Sequence, residues 1–126
     1  MSQFKFEPRS EAIILDTVLE GKITLHARLV LDTGASLIVL PWWIATGLNL
    51  QIDPAHLIQT TSASMVETVP LTKIPKVTVL GKTVKNVSCL IKDLPAESGV
   101  DGLLGLSFLR NFNLEINFKK GILTLE

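Results

Sequence analysis

The sequence predicts an all-β fold, mostly β with two short helices, and three observations carry that prediction. Apolar and polar residues alternate with a period of two in several separate stretches. Turn-forming Gly, Pro, Asp and Asn punctuate those stretches at short intervals. Only residues 42–46 and 106–110 suit a turn or two of helix better than a strand. At 126 residues the chain fits one domain, 1–126.

Taken in order, Phe4 and Phe6 alternate with Lys5 and Glu7, a short edge strand that Pro8 ends. Residues 13–19 give a second strand, and Glu20-Gly21 a hairpin turn. Ile23, Leu25, Ala27, Leu29 and Leu31 then share one face, with Lys22, Thr24, His26 and Arg28 on the other. This half-buried strand delivers Asp32. Leu37-Ile38-Val39-Leu40 reads as a fully buried strand, Pro41 suits a first helical turn, and Gly47 is placed to stop the helix.

Residues 57–61 and 67–71 read as arms of a hairpin with Ser62-Ala63-Ser64-Met65 at its tip. Val77 and Val79 alternate with Lys76 and Thr78, Gly81 turns the chain, and Val87, Cys89 and Ile91 alternate again. Residues 93–101 form a polar loop containing Pro and Gly. Gly102-Leu103-Leu104-Gly105 leads into the second helix. Phe112, Leu114, Ile116 and Phe118 then make a period-two strand, Lys119-Lys120-Gly121 a turn, and residues 122–125 a last strand. A faint repeat runs through this order: Val18-Leu19-Glu20-Gly21-Lys22 and its strand resemble Val79-Leu80-Gly81-Lys82 and its strand.

Composition narrows the function. The 12 basic and 12 acidic residues are mixed along the chain and give no basic stripe, so nucleic-acid binding has no support. Apolar runs are far too short to span a bilayer, and no membrane segment is expected. The opening residues carry an acid and lack a long apolar core, unlike a secretory signal, so the expected setting is soluble, reducing and cytoplasmic. Cys89 is the one cysteine, which excludes an internal disulfide and a thiolate cluster; its apolar neighbours suggest a buried structural thiol. A mean hydropathy of +0.40 in so short a chain suggests apolar surface buried against a partner.

The most informative element is Asp32-Thr33-Gly34-Ala35, placed directly at a strand end. Gly34 is expected to let the backbone turn sharply, and Thr33 offers a hydroxyl to a neighbour. Such a turn suits two carboxylates held face to face across a symmetry axis. One such turn exists in the chain, so the second acid is expected from a second copy.

Leu29-Val30-Leu31-Asp32-Thr33-Gly34-Ala35-Ser36, with Val39-Leu40 after it, resembles the retropepsins, the single-lobed aspartic proteases of retroviral type. Asp101-Gly102-Leu103-Leu104-Gly105 resembles that family's paired aliphatics before its final helix. Leu106-Ser107-Phe108-Leu109 is closer to the bacterial and cellular branch than to the viral one. Two departures stand out. Many viral enzymes have arginine where this chain has Leu106, and the tip Ala63-Ser64-Met65 lacks glycines.

The resemblance implies a retropepsin-like acid-protease lobe, closed and barrel-like, acting as a homodimer on a polypeptide substrate without cofactor or metal. Asp32 is then the catalytic residue, with Thr33, Gly34 and Ala35 completing the active-site turn. Two Asp32 carboxylates, one per protomer, would share one proton because like charges that close resist joint ionisation. The ionised one would act as general base on a bound water while the protonated one supports the scissile carbonyl. Thr33 of each subunit would cross-bond beneath them. Ser62, Ala63, Ser64 and Met65 would form the flap over an extended substrate. By the same resemblance, the terminal strands, residues 4–6 and 122–125, are expected to help join the protomers.

The remaining groups have plainer readings. His26 and His56 are scattered and do not suggest a metal site. Ser36, Ser62, Ser64 and Ser107 have no histidine near them in sequence, which gives no support to a nucleophilic triad. Trp42 and Trp43 suit helix packing and a dimer or rim surface better than a ligand cage, and Glu67, Asp93 and Asp101 read as solvated loop charges. The alternative function is a dimeric peptide- or protein-binding module on the same fold, catalytically weak or silent.

Overall fold

Ten strands and two short α-helices make up the computed structural model, which describes residues 2–61 and 66–126. The strands are β1 (Ser2–Lys5), β2 (Ile14–Glu20), β3 (Thr24–Leu31), β4 (Ile38–Leu40), β5 (Leu57–Thr61), β6 (Val66–Val79), β7 (Lys82–Ile91), β8 (Gly102–Leu104), β9 (Leu114–Asn117) and β10 (Ile122–Leu125). The helices are α1 (Trp42–Gly47) and α2 (Leu106–Leu109), and a single 3₁₀ turn spans Ala96–Ser98. Neither helix is long and apolar enough to cross a membrane.

Six strands, β2-β3-β8-β4-β7-β6, follow one another round a sheet that the β2–β6 pairing closes into a barrel. Period-two patterning explains which side chains enter it. Ala27 and Leu29 are buried while His26 and Arg28 are exposed, so the predicted inward face of β3 holds from Leu25 onward. Ile23 departs from it and is exposed, because residues 21–23 form the hairpin loop, where the Lys22 N–H donates to the Leu48 carbonyl. Leu15, Leu19, Leu29, Ile38, Leu40, Ile74, Ile91, Leu104 and Phe108 fill the interior. Each such side chain contributes about 1.5–3 kcal/mol when fully buried.

The two halves of the barrel are built alike. Hairpin β2–β3 leads through a turn to β4 and α1; hairpin β6–β7 leads through a loop to β8 and α2. Each half's third strand pairs in parallel with the other half's second strand, β8 with β3 and β4 with β7. The short repeat in the sequence marks the matching hairpins. Only the first half carries the acidic turn.

Several boundaries differ from the expected ones. The second arm of the outer hairpin does not stop near residue 71: β6 runs 14 residues, pairing first with β5 and then with β7 and β2. Pro75 is accommodated between the Ile74–Val87 and Lys76–Lys85 pairs, opposite the left-handed Asn86 (φ 54°). Gly47 is the last residue of α1, one beyond the expected helix end, and the left-handed residue after it is Asn49 (φ 56°). Trp42 and Trp43 lie on the exposed side of α1, whose buried residues are Ile44 and Ala45, so they are not its packing face.

A second sheet, β1-β10-β9, closes the chain on itself. β10 pairs with β1 on one side and β9 on the other, so neither of its edges is open. Residues 4–6 and 122–125, the segments expected to help join the protomers, lie side by side within one protomer. The Phe6 N–H bonded to the Gly121 carbonyl (2.8 Å) lays the first strand back along the last. Phe112 and Phe118 lie outside β9; Phe112 packs on Phe108, and Phe118 meets the edge of Phe6 while remaining exposed.

Candidate active site

Asp32 is held by the crossing of the two halves. β8 lies beside β3 in the register Leu29–Gly102, Val30–Leu103 and Leu31–Leu104, and the Asp32 N–H extends the ladder to the Leu104 carbonyl at 3.1 Å. On the other edge the Leu31 N–H donates to the Ile13 carbonyl at 2.8 Å. The turn then closes locally: the Ala35 N–H reaches the Asp32 carbonyl (3.2 Å), and the Gly34 N–H donates to Asp32 Oδ1 (2.9 Å). One carboxylate oxygen is thereby oriented by the backbone. Among the described residues the other accepts no hydrogen bond.

The glycines of this region serve close approach. A Cβ on Gly105 would lie 2.3 Å from the Leu37 carbonyl oxygen and 2.6 Å from that of Ala35, which accepts the Leu106 N–H. A Cβ on Gly102 would lie 2.0 Å from the Val39 carbonyl oxygen. The Leu-Leu-Gly element is therefore small at both ends because β8 threads between backbones. Gly34 differs from expectation. It does not adopt a left-handed conformation, and a Cβ there would meet only Asp32 Oδ1, at 3.2 Å. Its smallness keeps space free beside the carboxylate.

Thr33 is exposed, and within the protomer its hydroxyl makes no hydrogen bond among the described residues. It borders a groove of about 250 Å³ shared with Phe6, Glu11, Ile13, Leu31, Ile116 and Phe118. The structure thus brings Asp32, Thr33, Gly34 and Ala35 together on one surface turn. Ser62, Ala63, Ser64 and Met65, the expected flap residues, lie outside the described residues; the stem that carries them, β5 and the start of β6, pairs from Leu57–Pro70 to Thr61–Val66.

Three acids that read as solvated charges have specific partners. Asp101 Oδ2 accepts the Arg28 N–H at 2.8 Å, and its own N–H returns to the Arg28 carbonyl. The Arg28 guanidinium donates to the Gly99 carbonyl at 3.1 Å, fixing the loop before β8. Asp93 Oδ1 accepts the Trp42 N–H at the start of α1 (2.9 Å). Glu67 pairs with Lys92. Each partner is distant in sequence, so no local pattern announced it.

Ser107 was also illegible. Its Oγ accepts the Ile38 N–H (2.9 Å) and donates to the Ser88 carbonyl (2.8 Å), joining β4, β7 and α2 behind the turn. A lone serine in a helix gives no such signal. His26 and His56 each sit beside a carboxylate, Asp16 and Asp53 respectively, at exposed positions of small energetic weight. Burial pushes the Cys89 thiol up to about 12, leaving it protonated and unreactive.

A family model described as aspartyl protease matches residues 16–108, most of the chain. Among solved structures, a retropepsin-like aspartic protease from Rickettsia conorii superposes with a TM-score of 0.69 at 21% identity, covering 98% of each chain. The fold is therefore retropepsin-like. No curated protein sequence matches this one.

Proposed function

We propose, from the premise that the chain belongs to the aspartyl protease family, that two copies of it form one peptide-cleaving site. The observation that carries this reading is the Asp32 turn: a carboxylate fixed through Oδ1 by the Gly34 N–H, with its second oxygen unengaged among the described residues. A single acid so placed is half of a general acid–base pair. The Thr33 hydroxyl beside it, without a hydrogen bond among the described residues, supports the same assignment, since a second Thr33 across a dyad would supply one.

In the dimer the two Asp32 side chains hold one proton between them, because two adjacent charges repel, as in aspartic proteases generally. The ionised carboxylate takes a proton from a water lying between the pair. That water attacks the peptide carbonyl while the protonated partner donates to the developing oxyanion. The proton gained by the base then passes to the leaving nitrogen as the C–N bond breaks. The substrate lies extended between the Asp32 turn and the β5–β6 hairpin, using main-chain hydrogen bonds.

The test pairs sedimentation with cleavage of a peptide library by wild type and Asp32→Asn. The expected result is a dimer in both and cleavage only in wild type, with kcat lowered at least about a thousandfold in the variant. A strictly monomeric chain that still cleaves would overturn the shared site. A dimer that binds peptides and cleaves none would make the chain a binding module.

A further inference from the structure

Among the described residues an ion pair that the catalytic reading does not use links the β5–β6 hairpin to the barrel. Lys92 Nζ lies 2.5 Å from Glu67 Oε2, and both side chains are about one-third exposed (35% and 34%). The Glu67 Oε2 atom itself is out of solvent and has no hydrogen-bond partner, so the Lys92 ammonium is its one compensation among the described residues. Glu67 sits in the hairpin stem opposite Thr60. Lys92 belongs to the barrel: its N–H donates to the Leu40 carbonyl at 2.8 Å.

Beside Lys92 is a small cavity of about 130 Å³. Thr60 and Val69 line it from the hairpin, Val39, Leu90 and Leu103 from the barrel, with Lys92 also in its wall. Leu103 directly precedes Leu104, whose carbonyl holds the Asp32 N–H, so one wall of the cavity belongs to the strand that positions the acid. A dry cavity of about 150 Å³ holds benzene, so this one fits a single branched aliphatic side chain. Its walls come from two bodies, and their spacing depends on what holds the hairpin stem down.

We propose that Glu67 and Lys92 form a positioning latch that fixes the β5–β6 stem over this pocket and thereby selects an aliphatic substrate residue. The inference rests on the peptide-cleaving reading above and adds a specificity determinant to it. Removing either charge leaves a desolvated group uncompensated, and the stem regains solvation for it by moving outward. Partial exposure tempers that effect. The pocket then loses its hairpin wall, and binding of the aliphatic residue suffers while the Asp32 chemistry does not.

Glu67→Gln, Lys92→Met and the exchanged pair Glu67→Lys with Lys92→Glu test this in the full chain. Amide exchange over residues 57–61 and 66–71 reads the stem, and peptide pairs carrying Leu or Gly at each site in turn read the pocket. The single variants should exchange faster in the stem, with KM for the best Leu peptide raised about three- to tenfold, kcat within about twofold and the Gly peptide unaffected. The exchanged pair should recover both. Stem exchange equal to wild type in the single variants, or equal losses on Leu and Gly peptides, overturns the latch. If wild type cleaves nothing, the protease reading fails, while stem exchange and peptide affinity still decide the latch.

Discussion

The Asp32 N–H donates to the Leu104 carbonyl oxygen, at 3.1 Å, and so joins the acidic turn of the first half to the Leu-Leu-Gly strand of the second. The position of the acid is thus a property of two crossing segments. Neither the turn nor β8 would hold it alone.

Gly105 and Gly34 separate architecture from function. Gly105→Ala places a methyl 2.3 Å from the Leu37 carbonyl oxygen, where only backbone movement relieves it. Urea unfolding should show a loss of about 2–3 kcal/mol. Gly34→Ala meets a side-chain oxygen at 3.2 Å, so its stability should change by less than about 1 kcal/mol while peptide cleavage falls. Equal destabilisation by both substitutions would contradict the crowding assigned to Gly105.

Ser107→Ala removes the acceptor of the Ile38 N–H and the donor to the Ser88 carbonyl together. Two partly buried backbone groups are left unpaired, which costs about 1–3 kcal/mol in denaturant unfolding. A midpoint unchanged from wild type would show that water replaces the hydroxyl without penalty.

Thr33→Val tests the dyad from its base. With no partner for the hydroxyl among the described residues of its own chain, the fold should keep its unfolding midpoint. Dimer dissociation, followed by sedimentation across concentrations, should become about three- to tenfold easier because a cross-subunit hydrogen bond is lost. An unchanged dissociation constant would place Thr33 outside the interface.

Cys89 controls an alkaline limb of stability. Its folded value of about 12 exceeds the ordinary thiol value of 9.0, so above pH 9 the unfolded chain loses a proton that the folded chain keeps. Stability should therefore be fully present below pH 9 and fall between pH 9 and 12, with a slope approaching about 1.4 kcal/mol per pH unit from this group. Comparing wild type with Cys89→Ala isolates the term, since the lysines titrate in both. Identical slopes in the two proteins would contradict the buried, protonated thiol, as would rapid alkylation of the native chain.

Strand positions and the acidic turn were legible because their signals are local. Alternation through Leu25, Ala27 and Leu29 requires only neighbouring residues, and Asp32-Thr33-Gly34-Ala35 is one contiguous string. Boundaries failed where distant partners carry a strand past a local breaker: the arm expected to end at residue 71 continues through Pro75 in β6, supported by β7 and β2. Asp101, Asp93 and Glu67 failed for the same reason, since Arg28, Trp42 and Lys92 reach them only after the chain has folded.

By itself the sequence determined the β-rich class, the acid at a strand end and the resemblance that family membership bears out. Tertiary structure decided that β1 pairs with β10 of its own chain, that Ser107 braces the turn and that Glu67 ties the hairpin to the barrel. The division is physical. Side-chain periodicity and turn chemistry act over a few residues and are written in order along the chain. Hydrogen bonds and ion pairs between remote segments depend on which backbones come within about 3 Å, and that is settled only when the barrel closes.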